Sequence, residues 1–282
     1  MVLLAADGVA IEAVHEPADF DADVTQDAAG RVPVTVVAHG FTGSAGRPHV
    51  RRAAAVFRRY GAVITFSFRG HGASGGRSTV GDREVLDLAA AVAWARRLGH
   101  RTVWTVGFSM GGSVVLRHAA LYPAGGREAR GSGGGRDAEG SALVPDAHGP
   151  AHTDAVVAVS APARWYYRGT AAMRRLHWVV TRPLGRAVGR YGLRTRIHTS
   201  DWDPVPLDPA EAAARIAPTP LLLVHGDRDP YFPLDHPRAL ATAAGPQADL
   251  WLEPGMGHAE NAADEALLAR IADWAARRAP GG

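Results

Sequence analysis

Ser109 stands between two glycines in the segment Gly107-Phe108-Ser109-Met110-Gly111, which matches the pattern G-x-S-x-G. An apolar stretch typical of a strand precedes the segment, and a stretch typical of a helix follows it. At a sharp strand-to-helix turn the serine hydroxyl projects above the sheet, and the backbone N–H of Met110 at the helix start faces a developing oxyanion. The pattern predicts a nucleophilic serine, and a serine that only caps the helix is the alternative at this point.

A histidine and two carboxylates that could serve such a serine occur further along the chain. Near neutral pH a hydroxyl is a weak nucleophile, so it needs a histidine to accept its proton and a carboxylate to orient that histidine. Asp227 and Asp229 follow the apolar stretch 220–224, and His258 follows the next predicted strand. Sites gather at the carboxyl ends of parallel strands. The order serine, acid, histidine therefore predicts a triad of Ser109, His258 and one of the two aspartates.

Strand-like and helix-like stretches alternate along most of the chain. The predicted strands cover residues 9–15, 32–38, 62–68, 102–108, 155–160, 220–225 and 248–252. The predicted helices cover residues 51–60, 83–98, 110–122, 237–244 and 265–278. Because most of the strands are nearly continuous apolar runs, we predict an α/β fold with a mostly parallel, doubly wound sheet that helices cover on both faces.

Two segments interrupt this alternation, and we interpret both as insertions in a single domain that spans residues 1–282. Residues 123–153 contain eight glycines between positions 125 and 149, which predicts a flexible surface loop. Residues 163–209 predict a partly helical segment, and residues 163–198 of it contain nine arginines and no acidic residue. Its apolar side chains could form a helical face in two groups: Trp165, Tyr166, Met173, Leu176, Val179 and Val180, then Leu184, Val188 and Tyr191.

With these motifs the sequence resembles the α/β-hydrolase superfamily, in particular its single-domain serine esterases and lipase-like members. The segment His39-Gly40-Phe41-Thr42-Gly43 is similar to the family's His-Gly oxyanion loop, which implies that the N–H of Phe41 is the second oxyanion donor beside that of Met110. Residues 68–74 are similar to the family's Arg-Gly-His-Gly-x-Ser stretch. The resemblance covers nearly the whole chain outside the two insertions.

The resemblance also implies roles for several other residues. Gly226, Asp229 and Pro233 fit the family's Gly-x-x-Asp-x-x-x-Pro pattern, which implies that Asp229 is the acid and that Asp227 is a turn residue. His39 is expected to brace its loop by hydrogen bonds. In this superfamily the segment matching 163–209 commonly forms a cap over the pocket, and its arginines would then face water. The alternative is that they contact an anionic surface, such as a membrane or an acyl carrier.

The resemblance implies a serine hydrolase that cleaves small-molecule carboxylic esters through an acyl-enzyme on Ser109 and needs no cofactor. Thioester or amide hydrolysis would use the same residues. A cofactor-free haloperoxidase or perhydrolase activity is a further alternative on the same triad. The remaining alternative, from a different class, is a binding protein that has kept the fold without catalysis.

Composition excludes several other classes of protein. The absence of cysteine excludes disulfides, thiolate metal sites and a cysteine nucleophile. No H-E-x-x-H spacing occurs, and residues 70–76 lack the lysine of a P-loop, so we expect neither a metal nor a nucleotide. All 31 basic residues are arginines and the net charge is only +3, so the high isoelectric point does not indicate nucleic-acid binding. Residues 1–6 carry no basic region of a secretory signal, which predicts a cytoplasmic protein.

Overall fold

A twisted sheet runs through the centre of the computed structural model, which describes residues 1–19, 32–124 and 150–278. Within these residues the sheet has eight strands in the order β1-β2-β4-β3-β5-β6-β7-β8. The strands are β1 (Val2–Leu4), β2 (Ala10–Glu16), β3 (Val34–Ala38), β4 (Ala62–Phe66), β5 (Val103–Phe108), β6 (Ala155–Val159), β7 (Leu221–Gly226) and β8 (Ala248–Glu253). β1 and β2 are antiparallel to their neighbours, and the other strands pair in parallel. The predicted mostly parallel sheet is confirmed.

Burial along the strands explains this arrangement. Every residue of β3, β4, β5, β6 and β7 is buried, as expected for parallel strands that are covered on both faces. β1 and β2 alternate between buried and more exposed residues, which suits the partly open edge of a sheet. β1 was not predicted, because three residues carry no measurable periodicity and only pairing with β2 makes them a strand.

Helices cover both faces of the sheet. They are α1 (Pro48–Phe57), α2 (Glu84–Arg97), α3 (Met110–Leu121), α4 (Ala171–Thr181), α5 (Pro183–Tyr191), α6 (Pro209–Ala213), α7 (Asp235–Ala244), α8 (Ala259–Ala262) and α9 (Glu265–Arg278). Val36 belongs to an apolar cluster with residues of α2, α3 and α7. Its neighbour Val37 belongs to a second cluster with residues of α1 and α9. Alternate strand residues thus face different helical layers, and the predicted doubly wound arrangement is confirmed.

The two predicted insertions differ in what the structure describes. The predicted loop at 123–153 lies largely outside the described residues, since 125–149 are not among them. Of the predicted insertion at 163–209, the structure describes every residue, and it places α4 and α5 there. The division into one domain with two insertions stays a prediction. None of the helices in the described ranges has the length and apolarity needed to cross a bilayer.

Candidate active site

Ser109 occupies a strained turn between β5 and α3. Its backbone has φ 52° and ψ −112°, a conformation that a residue with a side chain rarely adopts. The two flanking glycines are required because the backbone passes so closely there. A Cβ at Gly107 would overlap the carbonyl oxygen of Gly111, and a Cβ at Gly111 would overlap the carbonyl oxygen of Ala38. The G-x-S-x-G pattern is therefore the sequence signature of a turn that projects the serine hydroxyl above the sheet.

The strand order brings the predicted acid and histidine to this turn. β5, β6, β7 and β8 are consecutive parallel strands, so their carboxyl ends lie along one edge of the sheet. His258 follows β8, and its Nε2 lies 2.8 Å from the Oγ of Ser109. The Nδ1 of the same ring lies 2.7 Å from the Oδ2 of Asp229, which follows β7. The three side chains form a continuous hydrogen-bonded chain over residues that are far apart in sequence.

The surroundings of Asp229 determine which nitrogen of His258 carries the proton. The Asp229 side chain is fully buried, and its Oδ1 accepts the N–H groups of Tyr231 at 2.8 Å and Phe232 at 3.1 Å. Burial acts to raise the pKa of Asp229, but the bonds from His258 and from these N–H groups outweigh it, and the pKa lies below its ordinary value. An ionised carboxylate can only accept a hydrogen bond. The proton of neutral His258 therefore sits on Nδ1, and Nε2 presents a lone pair to the Ser109 hydroxyl.

Asp227, the other acid considered from the sequence, makes a different contact. Its Oδ1 accepts the N–H of Gly255 at 2.7 Å, which ties the loop after β7 to the loop after β8. The structure thus places Asp229, and not Asp227, beside His258. The role of Asp229 as the acid stays a prediction.

The two predicted oxyanion donors lie beside Ser109. Met110 is the first residue of α3, so its N–H has no acceptor within the helix. Phe41 belongs to the loop after β3, and this loop passes so close to Ser109 that a Cβ at Gly40 would lie 3.4 Å from the Cβ of Ser109. Within the part of the chain that the structure describes, the N–H of Phe41 makes no hydrogen bond. Phe41 and Met110 line the same cavity as Ser109, and their role as donors stays a prediction.

Glu260 holds the loop after β3 in place, and the sequence did not reveal this contact. Its buried side chain accepts the N–H of Gly40 through Oε1 at 3.0 Å. Arg52 in turn donates to the carbonyl oxygen of Glu260 at 2.7 Å. Because Glu260 is two residues after His258, this contact joins the loop of Phe41 to the segment that carries the histidine. Nothing in the local sequence signals a contact between residues that are 220 positions apart.

Ser160 also helps to position His258. It follows β6, and its Oγ accepts the N–H of Ala259 at 3.0 Å. This hydroxyl fixes the backbone directly after the histidine.

Two buried histidines brace the loop after β3. His39 Nδ1 lies 2.7 Å from the carbonyl oxygen of Gly40, and its Nε2 accepts the N–H of Phe68 at 3.0 Å. His71 Nε2 likewise accepts the N–H of Thr42 at 3.2 Å. Burial, together with the nearby His71, lowers the pKa of His39 to about 3, and burial also lowers the pKa of His71. Both rings are therefore neutral, and the structure gives His39 the bracing contacts expected from the sequence.

The low pKa of His39 predicts a specific loss of stability in acid. Its pKa is about 3 in the folded chain and 6.5 in an ordinary environment, so the unfolded chain binds more protons between these values. The stabilisation from neutral His39 is complete above pH 6.5 and is lost as the pH falls toward 3. We expect the difference in unfolding free energy between wild type and His39→Gln to narrow by about 2 kcal/mol from pH 7 to pH 5. Chemical denaturation at both pH values measures this difference.

The control for this experiment is His49→Gln, because His49 is exposed on α1. Its unfolding free energy is expected to follow that of the wild type at both pH values. A constant difference between wild type and His39→Gln would contradict the assignment of His39 as a buried neutral brace.

A cavity of about 280 Å³ opens beside Ser109, between the carboxyl edge of the sheet and residues 163–209. Aromatic side chains form much of its wall: Phe41, Trp165, Tyr166, Tyr167, Trp202 and Phe232. Met173, Leu176 and Val180 of α4 belong to the apolar lining as well. Among the described residues, no group of three or more histidine, aspartate and glutamate side chains could hold a metal ion.

The predicted apolar face of the cap segment is divided between two sides. Met173, Leu176 and Val180 face the cavity, as the helical spacing indicated, whereas Val179 lines a separate groove on α4. The second group does not cover the cavity. Leu184, Val188 and Tyr191 remain 68%, 43% and 78% exposed.

Comparison with known proteins identifies the fold. Residues 33–125 match the family model described as alpha/beta hydrolase fold. The esterase Pf2001 of Pyrococcus furiosus superimposes with a TM-score of 0.68 at 20% identity, over 99% of this chain and 92% of that chain. The chain has the α/β-hydrolase fold.

Other solved structures of this fold are similar along their whole length. XC6422 of Xanthomonas campestris, described as an a/b serine hydrolase without lid, has a TM-score of 0.60 and 19% identity, and the match covers 100% of this chain and 95% of that chain. Est1E of Butyrivibrio proteoclasticus, solved with ferulic acid bound, has a TM-score of 0.57 and 18% identity over 98% and 97% of the two chains. A comparison with curated protein sequences finds no match for this α/β-hydrolase-fold chain.

Proposed function

We propose that this protein is a serine hydrolase that cleaves carboxylic esters through an acyl-enzyme. The observation that carries the proposal is the hydrogen-bonded chain from Ser109 Oγ to His258 at 2.8 Å and from His258 to Asp229 at 2.7 Å, at the wall of a cavity. Such a chain activates a hydroxyl for attack on a carbonyl carbon. The similar Pf2001 protein is named an esterase, which supports the ester class.

The first half of the proposed reaction acylates Ser109. The Oγ attacks the ester carbonyl carbon while His258 Nε2 accepts the hydroxyl proton, and ionised Asp229 stabilises the resulting imidazolium. The N–H groups of Phe41 and Met110 donate to the oxyanion that forms on the carbonyl oxygen. When the tetrahedral intermediate collapses, the bond to the alkoxy oxygen breaks and His258 returns its proton to the departing alcohol.

The second half releases the acid and restores the serine. A water molecule takes the place of the alcohol, and His258 Nε2 accepts one of its protons as it attacks the acyl carbon. The same two N–H groups stabilise the second oxyanion. Collapse of this intermediate breaks the bond to Ser109 Oγ, which recovers its proton from His258. Every atom and proton is accounted for by the substrate, water and the three side chains.

The cavity wall supports an apolar substrate. Six aromatic side chains and several aliphatic ones are among the residues that line it, and such surfaces favour uncharged aryl or alkyl groups. Thioesters and amides would use the same residues. We favour oxygen esters because the esterase Pf2001 is among the similar structures. A substrate series distinguishes them from the other acyl donors.

The test combines a substrate series with a covalent label. We expect p-nitrophenyl esters to be hydrolysed faster than matched thioesters and anilides, with rates that rise with acyl length until the cavity of about 280 Å³ is filled. A fluorophosphonate probe is expected to form an adduct on Ser109 that peptide mass spectrometry locates. If thioesters or anilides were cleaved faster than oxygen esters, the protein would be a thioesterase or an amidase and not an esterase. The absence of both turnover and adduct would indicate a binding protein instead.

A further inference from the structure

The outer surface of the cap carries positive charge that the protein does not neutralise. Nine arginines lie in residues 163–198, which contain no acidic residue. In the described part of the chain only one of them, Arg164, forms an ion pair, with Asp235 at 2.7 Å. Most of the others are exposed, including Arg174, Arg175, Arg182 and Arg190. A surface of this kind attracts anions over about one Debye length, roughly 8–10 Å at physiological salt.

Helix α5 is packed with its small residues inward and its large apolar residues outward. Its buried residues are Gly185 and Gly189. A Cβ at Gly185 would overlap the carbonyl oxygen of Trp178 on α4, so the two helices are in close backbone contact. Leu184, Val188 and Tyr191 lie at helical spacing on another face of α5, and all three are exposed. An amphipathic helix of a globular core would bury such residues, so this face is available for contact with something else.

Helix α4 extends the same outer surface. Trp178, which lies against Gly185 of α5, is 44% exposed. An open groove on α4 is lined by Ala171, Arg174, Arg175, Trp178 and Val179. The outer surface therefore combines exposed aromatic and aliphatic side chains with arginines on both helices, while the inner surface of α4 lines the cavity.

We propose that the outer face of α4 and α5, defined by Arg174, Arg175, Trp178, Arg182, Leu184, Val188, Arg190 and Tyr191, docks on a membrane surface rich in anionic phospholipids. Arginine side chains contact lipid phosphates, and the apolar side chains between them enter the boundary between headgroups and acyl chains. The charge complementarity between lipid phosphates and arginines that, among the described residues, have no ion pair except at Arg164 argues for this occupant. The four exposed apolar side chains fit the boundary beneath the headgroups. The proposal concerns binding alone and is independent of the hydrolase activity.

Vesicle flotation with the full chain tests this docking. We expect roughly tenfold more protein on vesicles of phosphatidylcholine with 30% phosphatidylserine than on pure phosphatidylcholine. Raising the salt to about 0.5 M is expected to release most of it, because the charge interaction is screened. Equal binding to both vesicles, or binding to neither, would overturn the proposal.

Two sets of variants assign the effect to the cap. The triple variant Arg175→Gln, Arg182→Gln, Arg190→Gln is expected to lower binding to anionic vesicles about tenfold. The matched control replaces three exposed arginines outside the cap by glutamine, namely Arg51, Arg238 and Arg277. Its net charge changes by the same amount. An equal loss in the control would show that only net charge matters and would reject the cap as the docking surface.

A separate variant tests the contribution of the exposed apolar side chains to vesicle binding. Leu184→Ser with Tyr191→Ser removes two exposed apolar side chains and leaves the charge unchanged. We expect it to weaken binding to anionic vesicles at low salt, with an unchanged melting temperature as the check on folding. If this variant binds anionic vesicles as well as wild type does, the apolar side chains do not contribute and the lipid proposal is rejected. Binding of wild type to polyglutamate as tightly as to the vesicles would then identify a general polyanion site.

Discussion

Replacing Ser109 by alanine is expected to lower kcat for ester hydrolysis by about 10⁶-fold, because the acyl-enzyme cannot form without the hydroxyl. The fold is expected to persist. Alanine keeps the Cβ that the strained turn at φ 52° already accommodates, and the substitution removes only the hydrogen bond to His258. A chromogenic ester assay measures kcat, and a thermal melt measures the stability of the variant.

Ser113→Ala provides the matched control for this prediction. Ser113 lies one turn further along α3 and lines the same cavity, but its Oγ donates to the carbonyl oxygen of Met110 at 2.7 Å. We expect this variant to keep kcat within about tenfold of wild type, since one neutral hydrogen bond contributes about 1 kcal/mol. Turnover by folded Ser109→Ala at more than a thousandth of the wild-type rate would reject the acyl-enzyme mechanism.

The second large effect is expected from Asp229→Asn, which should lower kcat by about 10⁴-fold through the wrong tautomer of His258. The N–H groups of Tyr231 and Phe232 point at Oδ1, so the carbonyl oxygen of the new amide takes that position. Its NH₂ group then faces His258 Nδ1 and donates to it. The histidine proton moves to Nε2, which can no longer accept the proton of Ser109. Steady-state kinetics on the best ester substrate measures the loss in kcat.

Asp227→Asn is the control, because it makes the same chemical change two residues away. Asp227 accepts only the N–H of Gly255 among the described residues, and the carbonyl oxygen of asparagine keeps that bond. We expect kcat to fall no more than a few-fold. If Asp227→Asn lost more kcat than Asp229→Asn, the assignment of Asp229 as the acid would be wrong.

Local sequence signals were sufficient for most of the fold. The strands at residues 103–108 and 155–159 were predicted to within a residue at each end, because an apolar run bounded by turn residues specifies a buried parallel strand. Helix boundaries were less accurate. α1 begins at Pro48 instead of the predicted residue 51, since proline is favoured in the first turn. α7 begins at Asp235, two residues before the predicted start.

The sequence by itself determined most of the elements and the turn at Ser109, because alternating apolar runs and the close backbone approach at Gly107 and Gly111 are local requirements. Tertiary structure decided the rest. It brought Asp229 to His258, tied Glu260 to Gly40, and turned the apolar face of α5 away from the cavity. Each of these depends on which strand ends and helix faces become neighbours in space, and burial and hydrogen bonding settle that only when the whole chain packs.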